Sequence, residues 1–266
     1  SQSAKFAAMA ESYFPDPTVF AGRWTDYFML LVLALLALLA ILFFREQDKH
    51  DPDIHSPLLA WLRGGMYFCL AFTVSWATGV FQVVTAGPLA GPEQLTDPVW
   101  IGFTLLCVSL MIWGYVYWWP KGTVTHGRLA YPVASGCFGV LWGLSAGQLQ
   151  LSLYAVLEEF AFGRAMTAVL VYVLFAIFNL NFQLGWWDIK VSPPHNVRAW
   201  NARKVLFAHN PFLIASLAYF TLYGNAGIFV LLQAAALAAA AMAMRFPPFW
   251  LPDGTEKVSR ETALGI

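Results

Sequence analysis

Two adjacent glutamates, Glu158 and Glu159, close an apolar stretch that also carries Gln148, Gln150 and Ser152. Such a pair can share a proton, because the charge on one carboxylate raises the pKa of the other. Gln148, Ser152, Ala155 and Glu159 are spaced four, three and four apart, which puts them on one face of a helix. Glu93 and Asp97 lie in an earlier loop, with Gln82 ahead of them. The chemistry this set could do is acid–base work by Glu158, Glu159 and Asp97. Gln148, Ser152 and Gln82 would hold a cation or a polar ligand. The alternative is a helix end whose acids simply reach water, with Arg164 offsetting one of them.

These residues need a scaffold, and the composition says what kind. The chain of 266 residues is 59% hydrophobic and 17% aromatic but only 11% charged, where a soluble domain carries about 25% charged residues. The apolar residues fall in blocks at about 26–44, 64–86, 98–119, 131–153, 165–185, 205–223 and 226–244. Each block is near the ~20 residues that cross a bilayer as a helix. The expected fold is therefore an all-α integral membrane protein, a seven-transmembrane helix bundle. Residues 1–25 would form an extramembrane or interfacial segment, 26–244 the membrane domain and 245–266 a cytoplasmic tail. Within the first segment, Phe6, Met9, Ala10 and Tyr13 recur at helical spacing. No charged, then apolar, then small pattern marks a signal peptide.

Charge sets the orientation. One side holds Arg45, Lys49, Arg63, Lys121, Arg128, Lys190, Arg198, Arg203, Lys204, Arg245, Lys257 and Arg260, and the other only Lys5, Arg23 and Arg164. Positive loops stay cytoplasmic, so the N-terminus is expected outside and the C-terminus inside, with Glu158 and Asp97 at the outer face. The apolar run from Tyr131 to Leu157 is 27 residues, roughly 40 Å of helix. Its polar end is expected to tilt strongly or to project beyond the lipid. Short loops and a compact chain suit a bacterial inner membrane. The zero net charge and the lack of a basic patch argue against nucleic acid.

A second polar group lies on the inner side. Asn179, Asn181 and Gln183 precede Trp186, Trp187 and Asp188, and a loop rich in hydrogen-bonding groups follows. Trp186, Trp187, Arg198, Arg203 and Lys204 could dock a partner subunit or lipid headgroups. The plainer reading is a positive loop with tryptophan anchors. Because neighbouring helices run in opposite directions, this group is expected most of a bilayer away from Gln148. Gln233 reads as an isolated amide used in a helix–helix hydrogen bond. Cys69, Cys107 and Cys137 form no C-x-x-C pair and read as buried small side chains. All five histidines fall in or beside inner loops, which argues against haem, and no mid-helix lysine could hold retinal. The HDPDIH run at 50–55 is a weak metal motif.

One resemblance follows from the spacing of Arg45 and Asp48, Thr96–Asp97, Gly147 and Leu157–Glu158–Glu159–Phe160. Over roughly half the chain this is similar to the C subunit of the copper membrane monooxygenases. That family follows its aspartate with two histidines. Here Ile101 and Gly114 stand at those distances, and Gln148 and Ser152 replace an asparagine and a histidine. The resemblance thus implies a subunit without the family's metal ligands. Two functions are expected from the whole sequence. The first is an accessory subunit of a larger membrane complex, possessing no complete cofactor site and contacting lipids and other subunits. The second is a membrane enzyme acting on a hydrophobic substrate through its outer carboxylates. A transporter is disfavoured by the absence of any pattern of broken helices or repeats.

Overall fold

A computed structural model describes residues 57–86, 88–119, 132–182, 203 and 205–243. Every regular element among them is helical. In chain order these are α1 (Pro57–Ala77), α2 (Val80–Ala86), α3 (Pro92–Leu95) and α4 (Pro98–Met111), then α5 (Pro132–Glu158), α6 (Arg164–Phe182), α7 (Asn210–Tyr223) and α8 (Ala226–Ala243). A π-helical run, Ile112–Trp118, continues α4, and another, Val205–His209, leads into α7. Three helices are long and apolar enough to cross a membrane: α4 with its π-helical extension, α5 and α8. The bent pair α1–α2 makes a fourth if it counts as one crossing. The first expected segment, 26–44, lies outside the described residues, as do the N-terminal segment and the tail.

The segment at 64–86 departs from the expectation of one straight span. It turns by 91° between α1 and α2. Gly79 has φ +75°, a left-handed conformation that glycine adopts without steric cost. The Thr78 hydroxyl donates to the Val74 carbonyl at 2.8 Å, occupying a backbone acceptor where the helix stops. The chain therefore does contain a broken helix, contrary to the sequence expectation.

Helix α5 is the centre of the bundle. Seventeen of its 27 residues are buried, including every residue from Gly147 to Val156. Its C-terminal half is thus enclosed by protein. Its most extensive contact is with α8. Gly139 and Gly143 lie on the α8 backbone: a Cβ built at Gly139 would stand 2.3 Å from the Leu237 carbonyl oxygen, and one at Gly143 2.4 Å from that of Gln233. In lipid, close backbone approach at small residues supplies the packing that water-driven burial cannot. Here Gln233 adds the helix–helix hydrogen bond expected of it, from its Nε2 to the Ser216 hydroxyl of α7 at 3.1 Å.

Contacts also set the helix directions. Trp61 meets Phe138 and Thr78 meets Ser152, so α1 and α5 run parallel. Gly136 faces Met242 while Gly147 faces Val230, so α5 and α8 run antiparallel. Trp100 meets Tyr219 and Tyr115 meets Phe212, so α4 and α7 are antiparallel too. At one end of the bundle, buried Asn225 in the α7–α8 turn ties the loop before α3, α3 itself and α4 together. Its side-chain nitrogen donates to the Leu89 carbonyl and to Gln94 Oε1, and its oxygen accepts from Gln94 Nε2 and Trp100 Nε1.

The α5–α8 crossing makes a direct prediction. Gly143→Ala places a methyl against backbone that cannot yield, so detergent-solubilised protein should lose about 1–3 kcal/mol of stability, the usual cost of overpacking. Gly65→Ala, where nothing lies within 4 Å, should melt like the wild type. Equal melting of both variants by intrinsic fluorescence would refute the crossing. Likewise, Asn225→Leu should speed hydrogen exchange across residues 88–96 by leaving the Gln94 amide and the Trp100 indole without their partner.

Candidate functional site

The residues expected to act together are placed in separate settings. Asp97 is the N-cap of α4, and its carboxylate accepts from the Val99 N–H at 2.9 Å. Glu158 ends α5 and lies 3.8 Å from the Arg164 Nε, as the sequence spacing suggested, with both side chains about one-third exposed. Glu159 is half-buried in the reverse turn that follows. Ala161 and Gly163 take positive φ there to send the chain back into α6. Gln82 is exposed on α2. Gln148 and Ser152 are buried and share the face of α5 that meets the α1–α2 break. The Ser152 hydroxyl lies 3.2 Å from that of Thr78 and donates to the Gln148 carbonyl at 2.8 Å. Trp186, Trp187, Arg198 and Lys204 lie outside the described residues, as does the HDPDIH run. Arg203 is described and exposed. Cys107 is buried, but Cys69 and Cys137 face outward, against expectation.

A cavity opens on a different face. Gln150 follows Gln148 by two residues, about 200° around the helix, and lines a partly enclosed cavity of about 70 Å³. Its walls are aromatic. Phe138 and Trp142 of α5 stack with centroids 5.7 Å apart, and Tyr67 of α1 meets Trp142 edge-on at 4.9 Å. Phe175 and Phe178 of α6 close another side. The sequence reading separated the α5 amides from the inner half of α6 by most of a bilayer. In the fold, Gln150 and Phe178, the neighbour of Asn179, border the same space.

Both π-helical runs reach this cavity. They meet where Gly114 packs on Ala208; a Cβ at Gly114 would lie 3.0 Å from the Ala208 Cα. In the first run, the Trp119 N–H bonds the Gly114 carbonyl five residues back, at 2.9 Å. This widened turn brings Tyr115 and Trp119 to the wall, and the second run brings His209. The Tyr115 hydroxyl and the His209 Nδ1 lie 2.8 Å apart, and Trp119 packs edge-on against the imidazole with centroids 4.5 Å apart. Single π-helical turns are rare and concentrate at functional sites.

Two oxygens in this wall lack hydrogen-bond partners among the described residues: the Tyr67 hydroxyl and Gln150 Oε1. Each residue is at most 3% exposed. A buried polar atom left without a partner costs about 1–3 kcal/mol. Among the described residues, no Asp, Glu, Lys or Arg lines the cavity. It lies towards the end of the bundle remote from Glu158 and Asn225. Among the described residues, no three His, Cys, Asp or Glu side chains converge as a metal site would require. The cavity therefore suits an uncharged, mostly apolar ligand that can form a few hydrogen bonds.

The site is not visible in the sequence because its residues are scattered over α1, α5, α6, α7, α8 and both π-helical runs. His209, expected in or beside an inner loop, ends a π-helical run and lines the cavity. The tryptophan-rich run at 113–119 was the available signal, since a π-helical turn there changes which side chains face inward. For Asp97, the geometry predicts a capping effect. Asp97→Asn should keep wild-type thermal stability, while Asp97→Ala should lower it by about 0.5–2 kcal/mol; equal melting of all three proteins would remove the cap. No family model, curated protein or solved structure matches this chain.

Proposed function

We propose that this protein is a polytopic membrane protein that holds a hydrophobic ligand or substrate in the aromatic cavity between α1, α5, α6 and α8. The observation that carries this reading is the cavity itself, whose walls are aromatic and, among the described residues, carry no Asp, Glu, Lys or Arg. The proposal includes seven crossings in a bacterial inner membrane, with the N-terminus outside and the C-terminus in the cytoplasm. The twelve-to-three division of Lys and Arg supports that orientation. The helix directions support the alternation: α1 parallel to α5, α5 antiparallel to α8, and α4 antiparallel to α7 are the relations that successive crossings require. In this orientation the cavity sits in the cytoplasmic half of the membrane.

Acid–base work by Glu158, Glu159 and Asp97 has weaker support. Glu158 faces Arg164, Asp97 caps a helix, and all three lie at the end remote from the cavity. The accessory-subunit reading, with its likeness to a monooxygenase subunit, rests on sequence features alone. It is compatible with ligand binding, since a bound apolar molecule could be a component of an assembly. Native electrophoresis of the protein from its own membranes tests it, and a lone monomer would remove it.

Solvent extraction of the purified protein, followed by mass spectrometry, tests the ligand reading. Wild-type protein should carry an apolar molecule that Ala146→Leu, which fills the cavity wall, loses while still eluting as a folded species. Identical extracts from both proteins would overturn the reading. For topology, a C-terminal green fluorescent protein fusion should fluoresce and a C-terminal alkaline phosphatase fusion should be inactive; the reverse pattern would invert the orientation.

A further inference from the structure

We infer that Tyr115 is a redox-active tyrosine, which gives up one electron through Trp119 while its phenolic proton passes to His209. This goes beyond the ligand reading and is independent of what the cavity binds. The geometry behind it is a phenol in contact with both a base and an oxidisable ring. The Tyr115 hydroxyl and the His209 Nδ1 are 2.8 Å apart, so the proton has a short path to its acceptor. Trp119 stacks on the Tyr115 ring with centroids 5.5 Å apart and meets the imidazole edge-on at 4.5 Å.

Loss of an electron turns a phenol into a strong acid, and a charge left on it in an apolar interior is costly. The proton therefore has to leave with the electron. A neutral imidazole can take and keep it near neutral pH. Other buried phenols face weaker bases. The Tyr154 hydroxyl donates to the Arg164 carbonyl, and that of Tyr219 to Asn225 Oδ1; an amide oxygen accepts a hydrogen bond but does not hold the proton. Tyr115 is also only 2% exposed, which shields a phenoxyl radical once formed. Its neighbours supply a route to the surface. Five of the seven residues 113–119 are Trp or Tyr. Trp113 stacks on Tyr117 at 4.9 Å, both about half exposed. Trp118 meets these rings at 6.0 and 5.9 Å and precedes Trp119 in the chain.

The step balances as follows. An oxidised transition-metal complex at the surface takes one electron and is reduced by one unit. The Tyr115 O–H bond breaks, and the proton forms an N–H bond at His209 Nδ1, whose ring already carries a proton on Nε2. The products are a neutral phenoxyl radical and an imidazolium. Return of the electron and the proton restores both side chains.

The test uses the full chain in lipid nanodiscs with an alkyl-tailed ruthenium polypyridyl complex, flash-oxidised to ruthenium(III) by persulfate and followed by electron paramagnetic resonance. Wild-type protein should form a long-lived neutral phenoxyl radical. Tyr115→Phe should lose it and Tyr154→Phe should keep it. His209→Gln, which accepts a hydrogen bond but holds no proton, should lose it too, and Trp119→Phe should form it more slowly. Nitric oxide added after the flash, small enough to reach a buried ring, should mark Tyr115 in peptide maps of the wild type, which locates the radical without any variant. Absence of a long-lived radical in the wild type, an undiminished signal in Tyr115→Phe, or a mark on another tyrosine would overturn the assignment. An undiminished signal in His209→Gln would overturn the proton transfer. None of these outcomes touches the ligand reading, which the solvent extracts decide.

Discussion

The close approach of α5 and α8 is the constraint on which the rest of the bundle depends. Where Gly139 and Gly143 meet the α8 backbone, there is no room for even a methyl group. Lipid tails are as apolar as leucine, so burial of apolar side chains alone does not drive helices together in a membrane. Backbone-to-backbone packing does, and it fixes α8 behind α5. With that pair set, α1 lies against another face of α5 through Trp61, Tyr67 and Thr78. The remaining space between these helices, α6 and the two π-helical runs is the cavity.

Polar groups then divide by location. At one end, Asn225 concentrates the hydrogen bonds of Leu89, Gln94 and Trp100 in a buried network whose members satisfy one another. That arrangement stiffens the bundle and leaves nothing free for a ligand. Towards the other end, the Tyr67 hydroxyl and Gln150 Oε1 lack partners among the described residues, as do Ser75, Gln148 and Thr167 away from the cavity. Tyr115 and His209 add a titratable pair, held in place by backbone that departs from α-helical geometry.

Much was legible from the residues alone. Long apolar blocks with few charges specified helices suited to lipid, and the Glu158–Arg164 pairing and the Gln233 bond followed from spacing and from the cost of an isolated amide. Other features were not legible. The break at Gly79 sits within an unbroken apolar block, so hydropathy cannot reveal it; only the 91° turn does. Gln148 and Gln150 look equivalent in sequence, yet the helix turns one towards Ser152 and Thr78 and the other towards the cavity.

The sequence by itself determined that this is a helical, lipid-suited chain, and where its charges and prolines must lie, because those properties depend on local composition and on the 3.6-residue period. The tertiary structure decided which polar residues share a space. Glu158, Glu159 and Asp97 draw attention as charges, but their settings are a partly exposed ion pair, a turn and a helix cap. The site was assembled instead from Tyr67, Tyr115, Gln150 and His209, which lie far apart in the chain. What joins them is the glycine-mediated crossing and two widened helical turns, and no single segment carries the information for that meeting.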